Sequence, residues 1–239
     1  NDIIKFNASA SYDLDGTIVS YSWNFGDGNL ATGVFVEHSY ADNGTYTVTL
    51  TVTDDDDATD TATSTKYVGN RPPVAKFTES AETVSTGEVI TFNASESYDP
   101  DGDIISYFWD FGDGTNATEV LVEHTYADDG VYIVILTVTD DDGSTATATS
   151  IKTVLNRPPV AYFTVSATTV LTGDAINFDA SGSGDPDGRV VCYVWNFGDG
   201  TSAAGVSVSH AYVDDGAYTV TLTVVDDDGA TSSISAVET

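Results

Sequence analysis

The 239-residue chain carries 38 acidic residues against seven basic ones, a formal charge of −31, which excludes nucleic acid and anionic membrane surfaces as partners. Hydrophobic residues make up 41% and there are thirteen tyrosines, enough to bury a core where many acidic chains stay disordered. Cys192 stands alone, so no internal disulfide staples the fold, and no apolar run is long enough to span a bilayer.

Internal repetition organises everything else. Trp23, Trp109 and Trp195 recur every 86 residues, as do His38, His124 and His210, and Asn7, Asn93 and Asp179. The stretch Tyr107–Gly114, YFWDFGDG, has counterparts at Tyr21–Gly28 and Tyr193–Gly200. The period divides the chain into repeats over residues 1–69, 70–155 and 156–239, each large enough for a small core of its own. Asn1 aligns with Gly87, so repeat 1 lacks the counterpart of Asn70–Thr86 and with it the first strand. Thr239 aligns with Thr153, inside a repeat. The chain therefore reads as a segment cut from a longer array.

Along repeat 2, Val74–Thr78 predicts a first strand and Glu88–Asn93 a second. Ile105, Tyr107 and Trp109 are expected to share one face of a third, with Ser106 and Phe108 opposite. In repeat 1, Tyr46, Val48, Leu50 and Val52 alternate with Thr45, Thr47, Thr49 and Thr51, the pattern of a strand buried on one face. Gly and Asp clusters punctuate these runs and no helical period occurs, so the fold class is all-β, a sandwich. Asp42–Val48 reads D-x-G-x-Y-x-V, as do Asp128–Val134 and Asp214–Val220, the spacing of a tyrosine corner. Asn70-Arg71-Pro72-Pro73 and Asn156-Arg157-Pro158-Pro159 separate the repeats. Paired prolines favour extended, semi-rigid backbone, which predicts modules held apart in a rod.

The set Asp99-Pro100-Asp101-Gly102, then WDFGDG, His124-x-Tyr126, Gly130-x-Tyr132 and Leu136–Asp140 closely resembles the polycystic kidney disease (PKD) domain, and the resemblance covers all three repeats. It implies a tandem array of three immunoglobulin-like β-sandwiches, a module found in adhesins, surface layers and secreted hydrolases. Fold does not fix function.

In such a sandwich the loop bearing Asp99 and Asp101 and the loop Asp140-Asp141-Asp142-Gly143 gather at one end, beside Asn70. Oxygen ligands converging from three segments suit Ca²⁺, which also relieves the repulsion of crowded carboxylates. The resemblance implies the same ligand set, since some members of the family bind calcium through such residues. Carried over, the sites are Asn70, Asp99, Asp101 and Asp140 in repeat 2 and Asn156, Asp185, Asp187 and Asp226 in repeat 3. Repeat 1 keeps Asp13, Asp15 and Asp54 without the asparagine, and Arg71 and Arg157 are expected to offer only a carbonyl. The competing reading is that Asp and Gly merely form turns here. A structural Ca²⁺ is expected to clamp each linker to the module body.

Four sequons begin at Asn7, Asn43, Asn93 and Asn116. Against glycosylation stands the reading that Asn7 and Asn93 replace the Asp of repeat 3, and that the other two are ordinary loop asparagines. One histidine per module before a tyrosine reads as structural, Cys192 as a small strand residue away from Trp195, and no catalytic residue is assigned. Val131, Ile133 and Ile135 replace threonines of repeat 1 and predict an apolar stripe turned from the core, for a lateral interface or a covered sheet face.

The sequence thus points to a non-enzymatic extracellular or cell-surface protein. In this reading it is a calcium-stiffened rod, filament or coat segment that self-associates or extends with more modules, with glycans as a further kind of partner and no membrane insertion in the segment. The alternative is a non-catalytic spacer or substrate-binding region of a secreted hydrolase or adhesin.

Overall fold

The computed structural model describes residues 2–239, and within them every regular element is a β-strand. Among these residues no helix is long and apolar enough to cross a membrane. Internal contacts divide the chain into two compact units. One comprises the chain up to Phe77 with Ala94–Phe108 and Leu136–Ala148; the other comprises Thr78–Asn93, Trp109–Ile135 and Thr149–Thr239. The division runs through repeat 2, whose strands continue from one unit into the other.

The first unit contains repeat 1. There Ile4–Asn7 pairs with Phe35–His38, and a four-stranded sheet runs in the order Leu30–Thr32, Ile18–Asn24, Gly44–Asp54, Thr59–Val68. The threonine alternation does as expected: Val48 and Leu50 are buried while Thr45 and Thr47 are exposed. Phe6, Trp23, Phe25 and Tyr40 complete the core, each such side chain contributing about 1.5–3 kcal/mol by leaving water.

The second unit contains repeat 3, with one sheet of Thr164–Val165, Ala175–Asp179 and Ser207–Ala211. Its other sheet runs Ser202–Ala204, Val190–Asn196, Tyr218–Asp226, Thr231–Glu238. Trp195 is fully buried among Phe178, Phe197 and Leu222, and Phe163 meets its ring edge-on at 5.2 Å. Repeat 2 is built alike, from Leu121–His124, Ile90–Asn93 and Thr78–Glu79 in one sheet. Its second sheet orders Asn116–Ala117, Ile104–Asp110, Gly130–Asp140, Thr145–Leu155 and Thr83–Ser85.

A buried indole needs an acceptor for its N–H. Trp23, Trp109 and Trp195 donate to the carbonyls of Gly33, Glu119 and Gly205 at 3.0, 2.9 and 2.9 Å. The tyrosine corner forms in all three modules, with Tyr46, Tyr132 and Tyr218 hydroxyls donating to the carbonyls of Asp42, Asp128 and Asp214 at 3.0 Å.

Three sequence expectations are corrected. Val74–Thr78 is not a continuous strand: Val74 makes one isolated bridge to Tyr98, and ladder pairing begins at Thr78–Glu79. Between them a side chain takes the place of a neighbouring strand. Ser97 Oγ accepts from Lys76 N–H at 2.9 Å and donates to the Lys76 carbonyl at 2.7 Å; Ser183 does the same for Tyr162. The second strand is likewise shorter, starting at Ile90 after the Ser85–Glu88 turn. In the third strand Ile105 does not share the face of Tyr107 and Trp109 but is 64% exposed. The equivalent strands of repeats 1 and 3 skip register between Ile18 and Ser20 and between Val190 and Cys192. A bulge at this position breaks the two-residue period, and Val19 and Val191 are exposed like Ile105.

Candidate cation sites at the linkers

In repeat 2 the Pro-Pro linker delivers Asn70 and Arg71 to the two acidic loops. Asn70 Nδ2 donates to Asp140 Oδ2 at 2.9 Å and to Ser144 Oγ at 3.0 Å. The Arg71 N–H reaches Asp101 Oδ2 at 3.1 Å. Arginine therefore contributes its amide N–H rather than the expected carbonyl. Asp140 is fully buried, its Oδ1 accepting the N–H groups of Asp142 and Ser144. Asp99 Oδ1 accepts the Asp101 N–H at 3.1 Å, while Asp99 Oδ2 is buried without a donor. Burial pushes the Asp99 carboxyl up, and the neighbouring Asp101 and Asp140 push the same way against the Asp101 N–H.

Repeat 3 repeats the arrangement with more unanswered oxygens. Asn156 Nδ2 donates to Asp226 Oδ2 at 3.0 Å, and the Arg157 N–H to Asp187 Oδ2 at 2.9 Å. Asn156 Oδ1, both carboxylate oxygens of Asp185 and Asp187 Oδ1 are all buried with no donor. The Asp185 carboxyl is pushed up by burial and by the Asp187 carboxyl beside it. The Asp187 carboxyl is held down against burial by the Thr86 hydroxyl and the Arg157 N–H. Buried, donor-less oxygens on carboxylates and a carboxamide cost several kcal/mol unless something positive answers them. The donor set is all hard oxygen, and it fits Ca²⁺.

In repeat 1 the matching acidic loops carry Asp13, Asp15 and Asp54. Asp13 and Asp54 are half-buried and Asp15 is exposed. These residues line an open groove of about 490 Å³ together with Ile18, Leu50 and Val52. Asp54 Oδ1 accepts the N–H groups of Asp56 and Ala58, the same turn that Asp140 makes.

The sequons fall on different surroundings. Asn7 and Asn116 are exposed, whereas Asn43 and Asn93 are half-buried. Asn7 Oδ1 accepts the Ser9 N–H at 2.7 Å just as Asp179 Oδ1 accepts that of Ser181 at 3.0 Å, so asparagine does the aspartate's turn work there. Cys192 is free and exposed. Val131 and Ile133 are exposed and Ile135 is half-buried.

Each histidine lies flat on a phenylalanine, at 4.0, 4.0 and 4.1 Å for Phe25–His38, Phe111–His124 and Phe197–His210. Each Nε2 is 2.7–2.8 Å from the carboxylate of the GDG aspartate, Asp27, Asp113 or Asp199. The sequence reading missed that partner, although the aspartate recurs with the same 86-residue period as the histidine. It also missed Lys152, which is fully buried, pairs with Glu79 and donates to the Ala81 carbonyl at 3.1 Å. No motif marks a lone lysine in a threonine-rich strand.

The profile of the PKD domain family matches residues 1–68, 70–154 and 156–239. Pre-pro-metalloprotease PrtV of Vibrio cholerae is 36% identical over 165 residues, covering 69% of this chain and 17% of PrtV. Microbial collagenase of Vibrio alginolyticus is 46% identical over 82 residues, covering 34% of this chain and 10% of the collagenase. The chain thus spans less than a fifth of the length of either relative. Among solved structures, the PKD1 domain of Vibrio anguillarum Epp is 36% identical, covering 35% of this chain and 93% of that one, with a TM-score of 0.31. The matched modules are non-catalytic β-sandwiches, homologous to the PKD domains of these proteases. The chain belongs to the PKD domain family, in three consecutive copies.

Proposed function

We propose that the chain is a structural run of PKD modules working outside the cell, with calcium joining each linker to the module that follows it. The observation that carries this reading is the paired arrangement at Asn70 and Asn156. In both, linker asparagine and arginine amides sit on loop carboxylates, and the same acidic loops hold buried oxygens without donors, Asp99 Oδ2 in repeat 2 and those of Asp185 and Asp187 in repeat 3. Asn70, Asp99, Asp101 and Asp140 would hold one ion, and Asn156, Asp185, Asp187 and Asp226 another. A bound Ca²⁺ supplies the positive charge that the carboxylates lack. Asp13, Asp15 and Asp54 hold the matching carboxylate positions in repeat 1. In this reading the modules form a stiffened rod, filament or coat segment that extends or self-associates, with Asn7 and Asn116 the accessible positions for glycans.

The similarity to a metalloprotease and a collagenase favours a second reading, in which the segment is a spacer or substrate-binding region of a secreted hydrolase. Electron microscopy of natively purified material, with calcium and then chelator, separates the two. Continuous filaments with a regular axial repeat, losing straightness in chelator, are the expected result. Short separate particles with a bulky end overturn the fibre in favour of the hydrolase accessory.

A further inference from the structure

Thr83–Ser85 runs parallel to Thr153–Leu155, and the Thr86 N–H extends that ladder to the Leu155 carbonyl at 3.2 Å. The chain then reverses at Gly87, whose φ of 74° suits glycine. The Glu88 N–H closes the turn on the Ser85 carbonyl, and the Glu88 carboxylate accepts the Ser85 N–H. Thr86 is thereby fixed where repeat 2 hands over to the second linker. Its side chain is 3% exposed, and its hydroxyl donates to Asp187 Oδ2 at 2.5 Å. The donor-less oxygens of Asp185, Asp187 and Asn156 belong to the same cluster. In repeat 2 the matching cluster has one such oxygen, Asp99 Oδ2. Thr172, one period after Thr86, sits on the same kind of turn, with Gly173 at a φ of 85°, and is exposed. Thr86 differs in having the Asp185–Asp187 loop of the next module against it.

The junction is otherwise electrostatically unfavourable. Asp128 and Asp129 of repeat 2 and Asp228 of repeat 3 bring one oxygen each within 4.8 Å of one another. Like charges from two modules set together repel, and a contact there needs something else to hold it.

We infer that the repeat 3 cluster is an inter-module site, in which Thr86 of repeat 2 positions Asp187 for a divalent cation and makes loading of the site fasten the two modules together. The inference rests on the cation reading above. Thr86 acts through Asp187 and is a positioning residue.

The test uses the full chain titrated with calcium chloride in a calorimeter, alongside small-angle X-ray scattering with and without calcium. Thr86→Val removes the hydroxyl at nearly constant volume, Thr86→Ser keeps it, and Thr172→Val is an exposed control. The expected result is that T86V weakens one calcium site by about tenfold or more and, at calcium levels that saturate the other site but not the weakened one, reduces the calcium-dependent scattering change. T86S and T172V should match the parent. T86V binding calcium like the parent, with the same scattering change, overturns the inference and leaves the cation sites standing. A parent chain that binds no calcium overturns both. Should T86V fail to fold, ¹⁵N relaxation of the parent decides. Joint tumbling of repeats 2 and 3 on calcium addition supports the fastening, and independent tumbling with and without calcium overturns it.

Discussion

At the residue scale, the GDG aspartates make the module's acid stability predictable. Burial pushes the Asp113 carboxyl up, but hydrogen bonds from Thr115 and the His124 ring outweigh it and leave the carboxyl below its ordinary value. In Asp199 the Thr201 hydrogen bond leads and the direction is the same. A carboxyl depressed on folding adds stability above its unfolded pKa of about 3.9, and that stability is lost as pH falls through the lower folded value. Asp113→Asn should therefore flatten the fall of melting temperature below about pH 4, and an unchanged slope in circular-dichroism melts would contradict this. Lys152 makes a sharper case. Lys152→Met leaves Glu79 in place without its buried partner, and breaking such a pair costs about 3 kcal/mol or more. Denaturant titration should show that loss in repeat 2, and a cost below about 1 kcal/mol would place the ion pair in effective contact with water.

At the element scale, the first segment of repeats 2 and 3 depends on one serine in each. Ser97→Ala removes both the donor and the acceptor that face Lys76. It should cost about 1–3 kcal/mol and speed hydrogen exchange at the Lys76 amide; slow exchange at that amide in the variant would mean that other contacts hold the segment. This dependence explains what was legible in the sequence. The strand Gly44–Asp54 and its equivalents could be read because one buried face imposes a strict two-residue period over eleven residues in repeats 1 and 2. The tyrosine corner could be read because its hydroxyl bonds to backbone four residues away. The first strand was misread because Ser97 lies 21 residues from Lys76, and a side chain standing in for a strand leaves no periodicity. Ile105 was misplaced because a bulge shifts the face without altering composition. The acidic loops announced their residues, but neither Ser144 on Asn70 nor Thr86 on Asp187 has any local signal.

At the scale of the whole molecule, charge dominates. A chain with a formal charge of −31 gathers carboxylates at each linker and leaves some of their oxygens buried without donors. An ion that binds only the folded modules stabilises them by about 2.7 kcal/mol at a hundredfold excess over its dissociation constant. In a module of this size each kcal/mol moves the melting temperature by about 4–8 °C. Asn156→Ala should reduce the calcium-dependent shift of repeat 3 while leaving that of repeat 2 in place, since the two sites share no ligand.

The most direct measurement is differential scanning calorimetry of the unmodified chain in calcium and in chelator at neutral pH. The account predicts that chelation lowers the melting temperature of at least two of the three modules by about 10 °C. Superimposable traces in calcium and chelator would contradict it, and would leave the acidic loops as turns.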